Sequence, residues 1–394
     1  MTEYIDVWPK EPAVVADAAD APAQIAVVIE NGTQQETLWY SSRDTDFYNK
    51  DMDAFALGLV FYAMERGKAL RIRGNVSPSL LANLEEFQAA WAFRKGEVYK
   101  VVDIRADSEL EIALAADRPA LAAFSGGLDS CFTMQRHKNG LCGRLKQDIQ
   151  AGLFVQGFDI PLDDAAFARA AARAKGTLAS LGVPLITLAT NFKDLNIQWD
   201  DTHVLGLVSA MTLLKHRFGL GLIGSTLTYN ETQLNWGSNV ITDHLLSSRS
   251  FAVVHDGAAF TRIDKFRAVA GWSEAYNELR LCYSADRKDE NCCRCWKCLV
   301  NMLRMRALNL PLPPTFPHEV SDAQIAEVTG LSEIGVISFE AVRDAARKFN
   351  AEGSWLTEID KCIARNKKAL VLNQTCNAKP TSWLNRLLDK VKAN

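Results

Sequence analysis

Arg-Pro-Ala-Leu-Ala-Ala-Phe-Ser-Gly-Gly-Leu-Asp-Ser-Cys-Phe-Thr-Met-Gln, residues 118–135, is the stretch from which the fold of this 394-residue chain is read. The apolar run 120–124 reads as a buried strand, Ser125-Gly126-Gly127 as a tight turn, and a helix opens at Leu128 with two side chains able to cap it, Asp129 and Ser130. Two glycines let backbone N–H groups approach a ligand closely. The helix start adds unpaired donors and the positive end of a dipole. This is a phosphate site in outline, to which the Ser125 and Ser130 hydroxyls can add hydrogen bonds, while Asp129 can orient the loop or hold a magnesium ion.

Working outward, strands at 152–160, 184–189 and 220–223 alternate with helices at 165–181 and 202–216. That alternation predicts an α/β fold with a doubly wound, mainly parallel sheet of Rossmann-like type. Ligands of such sheets bind at the carboxyl ends of the strands, where Ser125, Gly157, Thr190 and Gly224 would sit. Residues 226–250 are polar and rich in Asn, Trp and Gly, which reads as a long functional loop. A strand at 251–255 and a helix at 262–270 follow.

Upstream, 1–22 reads as a loosely ordered lead-in. Asn31-Gly32 marks a hairpin between 25–29 and 37–40. Helices at 53–66 and from Pro78 to about 93, with strands at 69–72 and 99–104, complete an N-terminal α/β module over 1–117 that carries no chemical motif. A central domain is expected over 118–308, including a short helix at 299–308. The region 309–394 reads as a linker, with Pro311, Pro313, Pro314 and Pro317, followed by a helical extension. Its basic amphipathic end (Trp383, Leu384, Leu387, Leu388, Val391) reads as a packing face.

With 48% hydrophobic and 23% charged residues, the composition is that of a soluble globular protein. The net charge of −3 gives no global positive field for nucleic acid. There is no basic leader and no apolar stretch of membrane-spanning length, so a cytoplasmic location is expected and a membrane partner is not. Five of the nine cysteines crowd into 282–298, which points to metal rather than disulfides. Cys292, Cys295 and Cys298 make two successive Cys-x-x-Cys steps, and Cys282 supplies the fourth thiolate of a closed tetrahedral zinc site. Cys293 could stand in for Cys292, and an iron–sulfur cluster is the rival occupant. Cys131, Cys142, Cys362 and Cys376 read as small packing residues.

Ser125-Gly126-Gly127-Leu128-Asp129-Ser130 resembles the signature of the PP-loop ATP pyrophosphatase superfamily. No lysine follows the glycines, unlike a Walker-type loop. The resemblance implies that the loop holds the pyrophosphate of ATP, with magnesium, while a substrate oxygen attacks the α-phosphorus. The adenylated oxygen then departs as AMP when a nitrogen or sulfur nucleophile arrives. It also places adenine near the end of the second strand, so Val155, Gly157 and Asp159 join the loop residues as nucleotide-binding candidates.

Together with the downstream cysteines and Arg304-Met305-Arg306-Ala307 behind them, the loop resembles the 7-cyano-7-deazaguanine synthase (QueC) branch, which converts a carboxylate into an amide and then a nitrile with ATP and ammonia. The resemblance covers about 118–308 and leaves both flanking modules outside it. This chain departs from that branch at 157–161, at 229–239 and in its first cysteine gap, which is one residue longer than the branch's, so the deazaguanine pocket is not carried over.

The expected activity is that of an AMP-forming ligase that joins nitrogen to carbon. It acts on the carboxylate or amide oxygen of a small carboxylate or nucleobase-like substrate, with Asp129, Ser130 and Lys265 as the catalytic set. Arg262 is a second candidate for neutralising pyrophosphate. Asp159 is a candidate substrate or magnesium contact, and Trp236 a candidate stacking surface. Asp243, His244, His255 and Asp256 border the same region. Two alternatives stay open: a sulfurtransferase acting on tRNA or a small molecule, with Cys131 or Cys293 carrying sulfur, and a nucleotide-binding subunit docked to a protein partner through its flanking modules. A homo-oligomer is compatible with each.

Overall fold

The computed structural model describes residues 3–11, 22–162, 165–282 and 284–377, with side chains through 372. The amphipathic end from Trp383 to Val391, the side chain of Cys376 and residues 1–2 and 12–21 of the lead-in lie outside the described residues. The chain divides into two compact units, 1–291 and 292–394.

In the first unit the elements run β1 (Tyr4–Pro9), β2 (Ala23–Asn31), β3 (Gln34–Ser42), α1 (Asp53–Arg66), β4 (Ala69–Asn75), α2 (Pro78–Arg94), β5 (Ile104–Ser108), β6 (Ala120–Ala123), α3 (Leu128–Lys138), β7 (Ile149–Gln156), α4 (Ala166–Ala179), β8 (Leu185–Thr190), α5 (Trp199–Thr212), β9 (Leu220–Gly224), β10 (Ala252–Asp256), α6 (Arg262–Val269) and α7 (Ser273–Tyr276). The ten strands form one sheet in the order β10-β9-β6-β7-β8-β3-β2-β1-β4-β5. Pairing is parallel except where β3 meets β8, β2 meets β3, and β1 meets β2. The α/β, mainly parallel architecture expected from the alternating pattern is therefore present, and the strands of 1–117 continue the same sheet.

Two sequence expectations are corrected here. The lead-in contains a strand, because Ile5 and Val7 alternate inward while β1 pairs with β2 on one side and β4 on the other. The strand expected at 99–104 begins instead at Ile104, because the preceding residues are claimed by side chains. The Tyr99 hydroxyl donates to Asp201 at 2.8 Å, and the Val102 N–H donates to the Gln88 side chain at 2.9 Å. Asn31 faces Gln34 at the hairpin tip, and Gly32 takes the positive φ of 66° that the turn requires.

Helix α1 is buried from Asp53 through Met64 and packs on α5. Its first turn holds a buried charge cluster in which Lys215 Nζ lies 2.6 Å from both Asp51 and Asp53. The feature that positions a site is the path around β6. The chain leaves β6 for β7 on one side and later returns as β9 on the other, which creates a topological switch point at their carboxyl ends.

The second unit holds α8 (Trp296–Ala307), α9 (Asp322–Glu327), α10 (Glu333–Lys348) and α11 (Trp355–Asn377). Helix α10 packs on α8 and α11, and α9 on α11. Val336, Phe339, Val342 and Ala346 recur at helical spacing along the buried face of α10. The proline-rich 310–317 forms neither helix nor strand, as its composition predicts. No helix among the described residues is long and apolar enough to cross a membrane.

Candidate anion-binding site and cysteine cluster

The Ser125–Ser130 loop lies at that switch point, and its backbone explains its two glycines. Gly126 has φ +75°, a conformation costly for any residue with a Cβ, and Gly127 is the N-cap of α3. Neither expected cap forms: no side chain caps α3, the Ser130 hydroxyl donates back to the Gly127 carbonyl at 2.9 Å, and Asp129 turns away. The amides of the first turn thus keep the anion-facing character of a helix start. Across the switch point Gly224, at the end of β9, comes so close that a Cβ there would stand 2.7 Å from the Asp129 carbonyl oxygen.

Asp129 collects two cations. Its Oδ2 accepts from Arg262 at 2.7 Å and its Oδ1 from Lys265 Nζ at 3.0 Å, both on α6, which packs against α3. Burial alone would raise the Asp129 carboxyl, but the Arg262 and Lys265 charges outweigh it and bring its pKa down to about 2. Both carboxylate oxygens are therefore already in ion pairs, so a magnesium ion at Asp129 would have to displace one of them. In this arrangement Asp129 holds two cations beside the glycine turn. Lys265 Nζ also donates to the Ser225 carbonyl.

Ser225, His255 and Asp243 line up behind this pair. His255 Nε2 lies 2.7 Å from Ser225 Oγ, and His255 Nδ1 lies 2.8 Å from Asp243 Oδ2. The composition is that of a hydrolase triad, but Ser225 is completely buried and its hydroxyl donates to the Leu227 carbonyl. No nucleophile is presented, and the trio braces the end of β9 instead. Asp256 accepts from Thr133 at 2.8 Å and lies 3.2 Å from His137 and 3.3 Å from Arg136, which ties β10 to α3. His244 is exposed and joins none of these groups.

At the end of β7, Val155 is a core residue, so only its backbone could meet a ligand. Gly157 has φ +93° and passes so near the Thr190 carbonyl that no side chain could be accommodated. Asp159 is about half exposed beside it. Sequence reasoning singled out Trp236 but missed the row it ends: Phe158 and Trp199 have ring centroids 5.2 Å apart, Trp199 and His203 6.1 Å, and His203 and Trp236 5.0 Å. Burial lowers the His203 pKa. Arg280, also missed, donates its backbone N–H to the Gly126 carbonyl at 3.0 Å. Nothing in its sequence context signals this.

Cys282, Cys292, Cys295 and Cys298 have sulfur atoms that all lie within 4.8 Å of one another, so this cluster could hold a metal ion. Four thiolates at about 2.3 Å from zinc stand roughly 3.8 Å apart in a tetrahedron. Cys292 and Cys298 are separated by 3.8 Å. Backbone amides aim at the sulfurs as they do at thiolates: Ser284 N–H at Cys282 (3.3 Å), Cys295 N–H at Cys292 (3.3 Å) and Cys298 N–H at Cys295 (3.4 Å). Cys293 has φ +52° and is not a member of the group, so Cys292 takes the position for which the two competed. Family models, curated proteins and solved structures were compared with this chain, and none matches.

Proposed function

We propose that this protein is an ATP-dependent, AMP-forming ligase of PP-loop type, close in design to the QueC branch. The observation that carries the reading is the pairing of an uncapped glycine turn with two cations, Arg262 and Lys265, held beside it by Asp129. Attack of an acceptor oxygen on the α-phosphorus of ATP expels pyrophosphate, and the charge gathers on that leaving group as the bond breaks. Preorganised amides and cations stabilise such charge most where water is scarce. Lys265 and Arg262 would supply the positive charge that a Walker lysine supplies elsewhere, and the first-turn amides would hold the phosphate oxygens. Magnesium would arrive on the nucleotide's phosphates. The acceptor is a small carboxylate or nucleobase-like amide, and ammonia or another nitrogen nucleophile then displaces AMP.

The sulfurtransferase alternative is weaker on physical grounds. Burial pushes the Cys131 thiol far above the ordinary cysteine range, and Cys293 is buried as well. A sulfur carrier needs an accessible thiolate.

The test supplies ATP with pools of small carboxylates and nucleobase-like compounds, with and without ammonia, and separates AMP plus pyrophosphate from ADP plus phosphate. AMP should form, and Lys265→Met should slow its release by about 100-fold, the usual loss for one preorganised donor to a developing oxyanion. ADP as the product, or undiminished AMP release in the variant, would refute the reading.

A further inference from the structure

Among the described residues beside the candidate loop, Arg280 is buried with its guanidinium only partly satisfied, 5.5 Å from the centroid of the Phe154 ring. Its backbone belongs to the site: the N–H bonds to Gly126, and the carbonyl lies 3.6 Å from where a Gly127 Cβ would stand. The residue is 8% exposed, and its Nε has no hydrogen-bond partner among the described residues. One terminal nitrogen reaches the Lys288 carbonyl only at 3.5 Å, the outer limit of a hydrogen bond, and the other stands 4.0 Å from Asp159 Oδ2, beyond that limit. A guanidinium has five N–H donors in a planar fork, and burying it with most of them unmatched is costly. By contrast, Arg169 in the same unit grips Asp289 through two bonds of 2.9 and 2.8 Å.

The geometry points to Arg280 as the anchor for an anionic oxygen of a ligand seated between the Gly126–Gly127 turn and Asp159. Asp159 is the loosely held partner that gives way when the anion arrives. Its half-exposed carboxylate leaves the gap open to solvent at the carboxyl end of β7. A planar fork suits a phosphate oxygen of the nucleotide and a carboxylate oxygen of the acceptor alike. The proposal rests on the ligase reading for the identity of the anion, not for its existence.

Thermal-shift titrations of the full chain with inorganic pyrophosphate, and separately with acetate, test this on wild type, Arg280→Gln, Arg280→Lys and Asp159→Asn. At least one anion should stabilise the wild type. Its apparent affinity should fall by about 10- to 100-fold in Arg280→Gln, the worth of one charge-assisted hydrogen bond or more. Arg280→Lys should recover part of the loss, and Asp159→Asn, which removes the competitor, should bind at least as tightly as wild type. A loss confined to pyrophosphate assigns the nucleotide, and one confined to acetate assigns the acceptor. With no anion present, Arg280→Gln should melt close to wild type, because the loss of a long hydrogen bond and of the contact with Phe154 is offset by removal of a desolvated charge. If that variant does not fold, Arg280→Lys and Asp159→Asn carry the test, with opposite changes expected.

The proposal is overturned if neither anion stabilises the wild type, if the Arg280 variants bind like wild type, or if Asp159→Asn loses affinity with them. AMP release without an Arg280-dependent anion response would keep the ligase reading and sink this one. An Arg280-dependent response without AMP release would do the reverse.

Discussion

Replacing Asp129 by Asn removes the charge that holds Arg262 and Lys265 beside the loop. The ordinary Asp pKa of 3.8 drops to about 2 in the folded protein. A gap of just under two units, at about 1.4 kcal/mol each, makes the folded state more stable by about 2 kcal/mol when the group is ionised. The side chain is only 19% exposed, so little of this is lost to solvent screening. Because the folded pKa is the lower one, the stabilisation is complete above about pH 4 and disappears as pH falls through about 2. Urea denaturation should therefore place Asp129→Asn about 2 kcal/mol below wild type at pH 7, with the two converging between about pH 4 and pH 2. Lys265, 1% exposed, would be left with the Ser225 carbonyl, so the double variant Asp129→Asn/Lys265→Met should lose less than the sum of the single losses. A gap at pH 7 below about 0.5 kcal/mol, the usual scatter of surface substitutions, would refute the reasoning. So would a gap that persists undiminished at pH 2.

The cysteine cluster should carry about one zinc per chain, and strong chelation or Cys295→Ser/Cys298→Ser should unfold the segment around 282–298, since metal binding and folding are coupled in such sites. Metal analysis decides this, and a coloured, iron-containing protein would overturn the assignment. Two glycine variants separate backbone strain from close approach. A Cβ at Gly126 meets nothing within 4 Å, so Gly126→Ala should cost only the left-handed conformation, about 1–2 kcal/mol. Gly224→Ala would drive a methyl against the Asp129 backbone, and should cost more than Gly126→Ala and displace the loop. Equal urea midpoints for the two variants would contradict the contact between β9 and the loop.

The parallel sheet was legible because its strands after 118 are apolar and short and, β9 apart, each is followed by a helix. Strand β1 was not, since only Ile5 and Val7 carry its alternation and one of its partners, β4, lies more than sixty residues away. Tyr99 looked like a strand residue because it is aromatic, yet what fixes it is a hydroxyl bond to Asp201, a contact with no local signature. At the site, the glycine turn and the cysteine spacing are local patterns and could be read directly. Lys265 and Arg262 could be picked out as cations near the end of the sheet, but their pairing with Asp129 depends on β9 lying beside β6 and β10 beside β9. Asp129 and Ser130 were expected to cap α3 because their residue types suit that role. The neighbouring cations and the Gly127 carbonyl compete for the same groups and win.

The division between local and distant contributions bears on what the loop can do. A helix start contributes about 0.3–1 kcal/mol toward a nearby anion, whereas each hydrogen bond to a charged partner contributes about 1.5–3 kcal/mol. On the proposed reading, the turn, although it is the recognisable motif, would thus be the smaller source of anion affinity. The larger source would be α6, whose Lys265 meets Asp129 across a separation of 136 residues. A Walker loop carries its lysine within the motif. Here the positive charge reaches the loop only once β9 and β10 have joined β6 and α6 has docked on α3. Asp129 then acts as the clasp, because without its carboxylate nothing described here would hold both cations against the turn. The motif residue that most resembles a metal ligand in the sequence is, in the folded chain, the one that brings the site its charge.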